Sequence, residues 1–136
     1  MKKLLLLLAI GLIGCTEKAP ECGSDLAQDL VIQIIEPKML KYYDYMFTMS
    51  VINGESKLKR EEITNQVHNE QANILMVDSK PRLEMIITHD SDDKTLSSLC
   101  SAHVTDNLNG DVLNIEYALN TSSDDKLVAR VRTNRD

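Results

Sequence analysis

Three cysteines, Cys15, Cys22 and Cys100, are the residues of this 136-residue chain with the most versatile chemistry. A thiolate can be acylated, can form a disulfide, can attack a substrate or can bind a metal. The chain has no Cys-x-x-Cys pair and no cysteine–histidine spacing typical of a metal or redox motif. We therefore expect no metal, no cofactor and no catalytic cysteine. Because three thiols cannot all pair with one another, one cysteine needs a separate role.

Cys15 ends an N-terminal segment, MKKLLLLLAIGLIGC, in which two lysines precede an apolar run. This pattern is typical of an export signal, and the run is too short for a bilayer span, which needs roughly 20 apolar residues. Residues 12–15, LIGC, resemble the bacterial lipobox. The resemblance implies cleavage after residue 14, diacylglyceryl transfer to the Cys15 thiol and fatty acylation, with palmitate for example, of the new amino terminus. The alternative is an ordinary signal peptide that ends by chance in a cysteine.

Lipidation would fix the location of the protein, because two or more acyl chains hold a protein firmly in a bilayer. We expect a lipoprotein of the bacterial cell envelope that contacts the membrane through Cys15. Thr16, rather than Asp, follows the cysteine. In a Gram-negative cell this resembles the outer-membrane sorting class, on the periplasmic or the surface face. We predict a signal peptide at residues 1–14, a lipidated tether at residues 15–21 and a single domain at residues 22–136.

If Cys15 carries the lipid, two cysteines remain, Cys22 and Cys100, and both would lie in an oxidising compartment. A disulfide between them is the prediction, and two buried free thiols are the alternative. The bridge would close a loop of nearly eighty residues and would contribute roughly 4 kcal/mol in the chain-entropy model.

The charge of the chain restricts the class of partner. The formal net charge is −6, and loss of Lys2 and Lys3 with the signal peptide takes it to −8. Such an acidic surface argues against nucleic acid or anionic lipid as the main partner.

Helical spacing of apolar residues dominates the first half of the domain. Ser24 and Asp25 precede a run that predicts a helix to about residue 35, with a core-facing stripe. Beyond Pro37 the period continues to Asn53, which indicates a second helix or a kinked continuation of the first. Residues 55–77 are polar and are consistent with a partly ordered helix or with a long connection. The predicted stripe consists of Leu26, Ala27, Leu30, Val31, Ile34 and Ile35.

The period changes to two after Pro81, which predicts four strands. They are LEMIIT, SLCSAHV, VLNIEYAL and KLVARVR, and turn-forming segments separate them. Short connections favour an antiparallel meander. We expect an α+β fold in which one or two N-terminal helices pack on one face of a four-stranded antiparallel sheet. If Cys100 lies on the covered face, it can reach Cys22 at the start of the first helix.

Three segments together resemble small bacterial envelope lipoproteins with a cystatin-like or NTF2-like fold. They are ECGSD at residues 21–25, LCSA at residues 99–102, and IEYAL at residues 115–119, followed by the turn DDK. The resemblance implies a helix packed across an antiparallel meander. It covers about half of the mature chain, and much of that group has no assigned activity, so the resemblance implies architecture more than function.

Few residues predict a specific site. Tyr42, Tyr45 and Phe47 could form an exposed contact patch, because aromatic side chains provide large contact areas with a polar tip. The alternative is that they border the core. Residues 89–93, HDSDD, lack the spacing of a calcium loop and predict a solvated turn. No serine-nucleophile or metalloprotease motif is present, so we expect no catalytic residue.

Two classes of function follow. The first is a non-enzymatic module that binds an envelope protein or polymer in an inhibitor, exclusion or complex-assembly role. The second, an alternative, is a small NTF2-like hydrolase or isomerase with a cone-shaped pocket. The two differ in one feature, since the enzyme needs a buried Asp within hydrogen-bond reach of a Tyr in a concave apolar pocket.

Overall fold

The structure is a computed structural model, and it describes residues 18–134. The predicted signal peptide and Cys15 lie outside the described residues. Within that range two helices, α1 (Asp25–Ile52) and α2 (Asn65–Ser79), precede four strands, and a short 3-10 turn (Arg60–Glu62) lies between the helices. The strands are β1 (Arg82–Asp92), β2 (Ser97–Asp106), β3 (Gly110–Thr121) and β4 (Leu127–Thr133).

The strands form one antiparallel sheet in the order β1-β2-β3-β4, and the helices pack against one of its faces. This confirms the predicted α+β fold. Strands β2 and β3 are central, whereas β1 and β4 form the two edges. The register places Cys100 opposite Tyr117 and Ala102 opposite Ile115, so that their buried side chains meet on the covered face.

Helix α1 is continuous over 28 residues. The segment beyond Pro37 is therefore a continuation of the first helix and not a second helix. Its first turn is capped by the Ser24 side chain, which accepts a hydrogen bond from the amide of Ala27. Pro37 cannot donate a backbone hydrogen bond, but it lies on the exposed side of the helix, where water can reach the freed carbonyl group. Every fourth residue of α1 faces the core: Ala27, Val31, Ile35, Met39, Tyr43 and Phe47.

Part of the predicted core stripe of α1 lies in solvent. Leu26 is 65% exposed and Ile34 is 39% exposed, although both have the expected helical spacing. The fully buried stripe of α1 is one residue wide per turn, and the residues partly buried beside it are Ile32, Leu40 and Tyr42, so Leu26 and Ile34 lie outside the contact. The prediction that these two residues face the core is therefore wrong.

Helix α2 resolves the ambiguous polar segment as a helix. The Thr64 side chain caps its start, and Lys80 in a left-handed conformation ends it. The helix packs on the C-terminal half of α1 through the buried Ala72 and Ser79. Its thin apolar stripe is sufficient because α2 packs mainly on α1.

A disulfide joins Cys22 to Cys100, with the two sulfur atoms 2.03 Å apart and the Cα atoms 5.9 Å apart. This confirms the predicted pairing. The bridge connects Cys22, two positions before the helix cap Ser24, to the middle of β2. The buried Tyr117 hydroxyl supports it by donating a hydrogen bond of 2.8 Å to the carbonyl oxygen of Cys22. Burial raises the pKa of Tyr117 to about 12.

The segment before Cys22 is also held against the sheet. The amide of Ala19 donates to Asp93 Oδ1 at 2.8 Å, and Ser98 Oγ donates to the Pro20 carbonyl oxygen at 2.6 Å. Both partners lie at the end of the sheet where β1 turns into β2. The chain from Ala19 onward is therefore fixed to this end of the domain. No helix within residues 18–134 is long and apolar enough to cross a membrane.

Candidate functional site

The face of the sheet opposite the helices is uncovered in the part of the chain that the structure describes. Strand alternation directs large apolar side chains onto this open face, and several of them are well exposed. Buried apolar residues are ordinary, whereas a group of exposed ones on one surface indicates an interaction site. The exposed apolar residues of the open face are Met85, Ile87, Leu99 and Val128.

Two adjoining grooves cross the open face. The first has a volume of about 350 Å³, and its lining includes Met85, Ile87, His103 and Arg132. The second, of about 460 Å³, is lined by Leu99, Arg130 and the same Arg132 among others. The grooves are continuous because they share lining residues of β3 and β4. The shared lining also includes Glu116 beside Arg132, so the grooves combine apolar side chains with two arginines and one acidic group.

An irregularity of β1 shapes the first groove. The pairing of β1 with β2 shifts between Glu84 and Ile87, and Met85 has a positive φ of 51°. A bulge inserts an extra residue and changes the direction of the side chains beside it. Here it places Met85 and Ile87 together at the groove, while Ile86 packs against the core.

The polar side chains of the open face differ in whether they are paired. His103 lies 3.2 Å from Asp111, and Arg82 lies 2.8 Å from Glu84. Arg130 and Arg132 have no ion-pair partner among residues 18–134. Both arginines are exposed on the edge strand β4, which contains no acidic residue. The outer part of this face is therefore cationic in a chain with a formal charge of −6.

The predicted aromatic patch on α1 is not assembled at the surface. Tyr45 is 59% exposed, but Phe47 is 6% exposed and packs edge-on against the His68 ring with centroids 5.3 Å apart. Tyr42 is half-buried, and its ring meets that of Tyr43. One of the three predicted contact residues therefore offers a large exposed surface.

A buried Tyr–Asp pair connects three elements of the core. Tyr43 Oη donates to Asp106 Oδ2 at 2.7 Å, and Ser79 Oγ donates to the same phenol oxygen at 2.6 Å. Asp106 also accepts the backbone amides of Leu108 and Asn109 in the β2–β3 turn. Burial raises the pKa of the Tyr43 phenol, and the hydrogen bond with Asp106 raises it further, whereas the Ser79 hydrogen bond acts in the opposite direction.

This pair includes the residue types that the alternative enzyme requires, but not the surroundings. Tyr43 and Asp106 are 1% and 3% exposed, and neither lines the grooves of the open face. The hydrogen bonds of Tyr43 and Asp106 described in the preceding paragraph are all with other residues of the domain. The arrangement therefore joins α1, α2 and the β2–β3 turn.

The prediction that residues 89–93 form a turn is wrong in extent, because residues 89–92 extend β1 and only Asp93 lies in the β1–β2 turn, although the whole segment is exposed. Asp92 accepts the backbone amide of Lys94, which lowers the pKa of the exposed carboxyl group. At the β3–β4 turn, the Ser122 hydroxyl lowers the pKa of Asp124 in the same way. Among residues 18–134 no group of three or more His, Cys, Asp or Glu is arranged to hold a metal ion.

Sequence reasoning did not select the open-face residues, although a signal for them was present. In LVARVRT, positions 128, 130 and 132 alternate with positions 127, 129 and 131. The first set contains both arginines and faces away from the core, whereas the second set packs against it. Comparison with known proteins gives no further assignment, since no family model, curated protein or solved structure matches the chain.

Proposed function

We propose that the protein is a lipid-anchored module of the bacterial envelope that binds a partner on the open face of its sheet. The anchor would be the acylated Cys15, as the lipobox-like residues 12–15 imply. With Ala19 fixed to the sheet, only residues 16–18 separate the lipid from the folded domain. Three extended residues span at most about 11 Å, so the domain would stay close to the bilayer.

The observation that carries the binding role is the uncovered, grooved face with its exposed Met85, Ile87 and Leu99. One side of the sheet is fully used by the core, but the other presents apolar side chains at a cost in solubility. Such a surface is stabilised when a partner removes it from water, at about 25 cal/mol for each Å² of apolar area. We infer a non-enzymatic role in inhibition, exclusion or complex assembly.

The architecture also agrees with the resemblance to cystatin-like and NTF2-like envelope lipoproteins. A long helix crosses a four-stranded meander, and a disulfide ties the start of that helix to an inner strand. We propose that the chain belongs to this group of envelope lipoproteins. The shared architecture supports a binding role because it leaves the second face of the sheet free.

Two isoleucines of equal exposure allow a matched experiment. Ile87 lies on the open face and Ile74 on the outer side of α2, and each is 51% exposed. The tagged full-length protein would be extracted with mild detergent from its native envelope, as wild type, Ile87→Glu or Ile74→Glu. We expect one envelope component to co-purify with the wild type and with Ile74→Glu, and its recovery to fall at least tenfold with Ile87→Glu. Equal recovery with both variants would refute the proposal.

A further inference from the structure

We infer that the partner of the proposed binding face is a protein segment that is extended and acidic, and that it adds to the sheet as a fifth strand beside β4. This inference rests on the proposed function and names the chemistry of the partner. It is carried by the state of the two sheet edges and by the distribution of charge across the open face.

Strand β4 has the features of an edge that can accept another strand. It pairs with β3 over seven residues without a bulge and contains no proline. No described residue pairs with its outer side between residues 127 and 132. An exposed strand edge presents unpaired N–H and C=O groups, and an extended peptide can satisfy them.

The opposite edge, β1, is unsuitable for the same purpose. Its register shifts twice, once near Met85 and once between Thr88 and Asp90. Bulges bend and twist an edge, which interrupts the regular ladder that a new strand needs. Its C-terminal part also carries Asp90 and Asp92, which would repel an acidic segment.

The charge beside β4 selects an acidic strand. A strand added to β4 would lie about 4.8 Å away, and its same-face side chains would be direct neighbours of Arg130 and Arg132. Glu116 lies on β3 opposite Arg132, one strand farther from the added peptide. Its repulsion would act across roughly 10 Å, close to the screening length in physiological salt. Carboxylates at alternate positions of the peptide would therefore face two arginines that have no ion pair in residues 18–134.

The same two residues disfavour a second copy of this chain at the edge. In an antiparallel β4–β4 pair centred on Val131, Arg130 of each copy would face Arg132 of the other on the open side. Like charges that are directly opposite destabilise a strand pair. The arginines therefore disfavour this self-pairing register, whereas they favour an acidic strand.

The test uses the full-length lipidated protein in detergent and a fluorescein-labelled nine-residue peptide in which glutamate alternates with valine or threonine. We expect Arg130→Glu/Arg132→Glu to weaken binding of this peptide at least tenfold. The matched control, Lys57→Glu/Lys59→Glu, changes the net charge by the same amount at two exposed lysines that lie between α1 and α2. We expect it to change the peptide affinity less than twofold. A peptide N-methylated at alternate backbone amides should bind at least tenfold more weakly, because it cannot complete the ladder.

Three outcomes would overturn the inference: equal weakening by both charge reversals, unchanged binding of the N-methylated peptide, or a wild-type dimer in sedimentation that Arg130→Glu strengthens, as opposite charges across a β4–β4 pair would. Loss of co-purification with Ile87→Glu, together with any of these outcomes, would leave the proposed binding face in place and remove only the strand-addition mode. Peptide binding as expected, with co-purification unaffected by Ile87→Glu, would instead remove the proposed function.

Discussion

At the scale of single residues, two buried tyrosines form hydrogen bonds between segments that are far apart in sequence. The Tyr117 hydroxyl donates to the Cys22 carbonyl oxygen, and the Tyr43 hydroxyl donates to Asp106 at the end of β2. In each case the aromatic ring fills the core while the hydroxyl group satisfies a polar atom, so the protein obtains packing and a hydrogen bond from one side chain. The same burial disfavours the charged phenolate form.

Tyr117 gives the domain a defined sensitivity to alkali. Its pKa is raised from 10.0 to about 12, so the unfolded state loses its proton first as the pH rises. The protonated Tyr117 therefore contributes about 2 to 3 kcal/mol to the free energy of unfolding below pH 10. This contribution is lost as the pH rises from 10 towards 12. Urea unfolding at pH 8, 10, 11 and 12 measures it.

The matched variants for that measurement are Tyr117→Phe and Tyr45→Phe. Tyr117→Phe should be less stable than the wild type at pH 8, because the Cys22 carbonyl loses its donor, but should lose less stability between pH 10 and 12. Tyr45 is exposed, so Tyr45→Phe serves as the control for the loss of a phenol hydroxyl group outside the core. A steeper alkaline loss in Tyr117→Phe would contradict the role given to burial.

At the scale of elements, the disulfide is a covalent bond between the start of α1 and β2, two segments that are far apart in sequence. It spans 78 positions, and without it α1 would be held to the strands by packing and by the side-chain hydrogen bonds of Tyr43 with Asp106 and of Lys38 with Thr133. We expect Cys22→Ala/Cys100→Ala to lower the free energy of unfolding by roughly 4 kcal/mol, as measured by urea unfolding at pH 7. The reduced wild type serves as the control, since it has both sulfur atoms but no bond. Equal stability of the oxidised and reduced wild type would show that the bridge does not stabilise the domain.

The elements also show how far the sequence predicts this fold. Period-two alternation identified all four strands, because each strand has one face in the core and one in solvent. The helix over residues 65–79 was ambiguous, since α2 buries only a narrow surface against α1. Leu26 and Ile34 were assigned to the core because periodicity reports the direction of a side chain but not the width of the contact that covers it.

The candidate site was harder to predict for a related reason. An exposed isoleucine or arginine on a strand has no local signature, and Ile87, Arg130 and Arg132 form a surface only through strand pairing and the β1 bulge. The aromatic patch was predicted from three nearby residues of one helix. Because α2 packs over Phe47, the helix could not present all three.

At the scale of the whole molecule, the proposed anchor would lie at one end of the domain and the proposed binding surface on one side of it. The β1–β2 hairpin and the start of α1 lie where the chain enters the domain, so this end would face the bilayer. The open face would then stand beside the membrane, accessible to other envelope components.

The anchor is tested by Cys15→Ser. We expect the wild type to incorporate labelled palmitate and to partition with the membrane fraction, because two or more acyl chains hold it there. Cys15→Ser should lose the label and be recovered in the soluble fraction or as the uncleaved precursor. Cys22→Ala/Cys100→Ala controls for general misfolding and should keep the label. Unlabelled wild type would contradict lipidation at this residue.

The central claim is that the open face of the anchored protein contacts its partner, and site-specific photo-crosslinking in intact cells tests this most directly. A photoreactive residue would replace Ser101, in the lining of the first groove, or Asn73, on the exposed side of α2. We predict one dominant adduct from position 101 and none of the same mass from position 73. No adduct from position 101, or the same adduct from both positions, would contradict it.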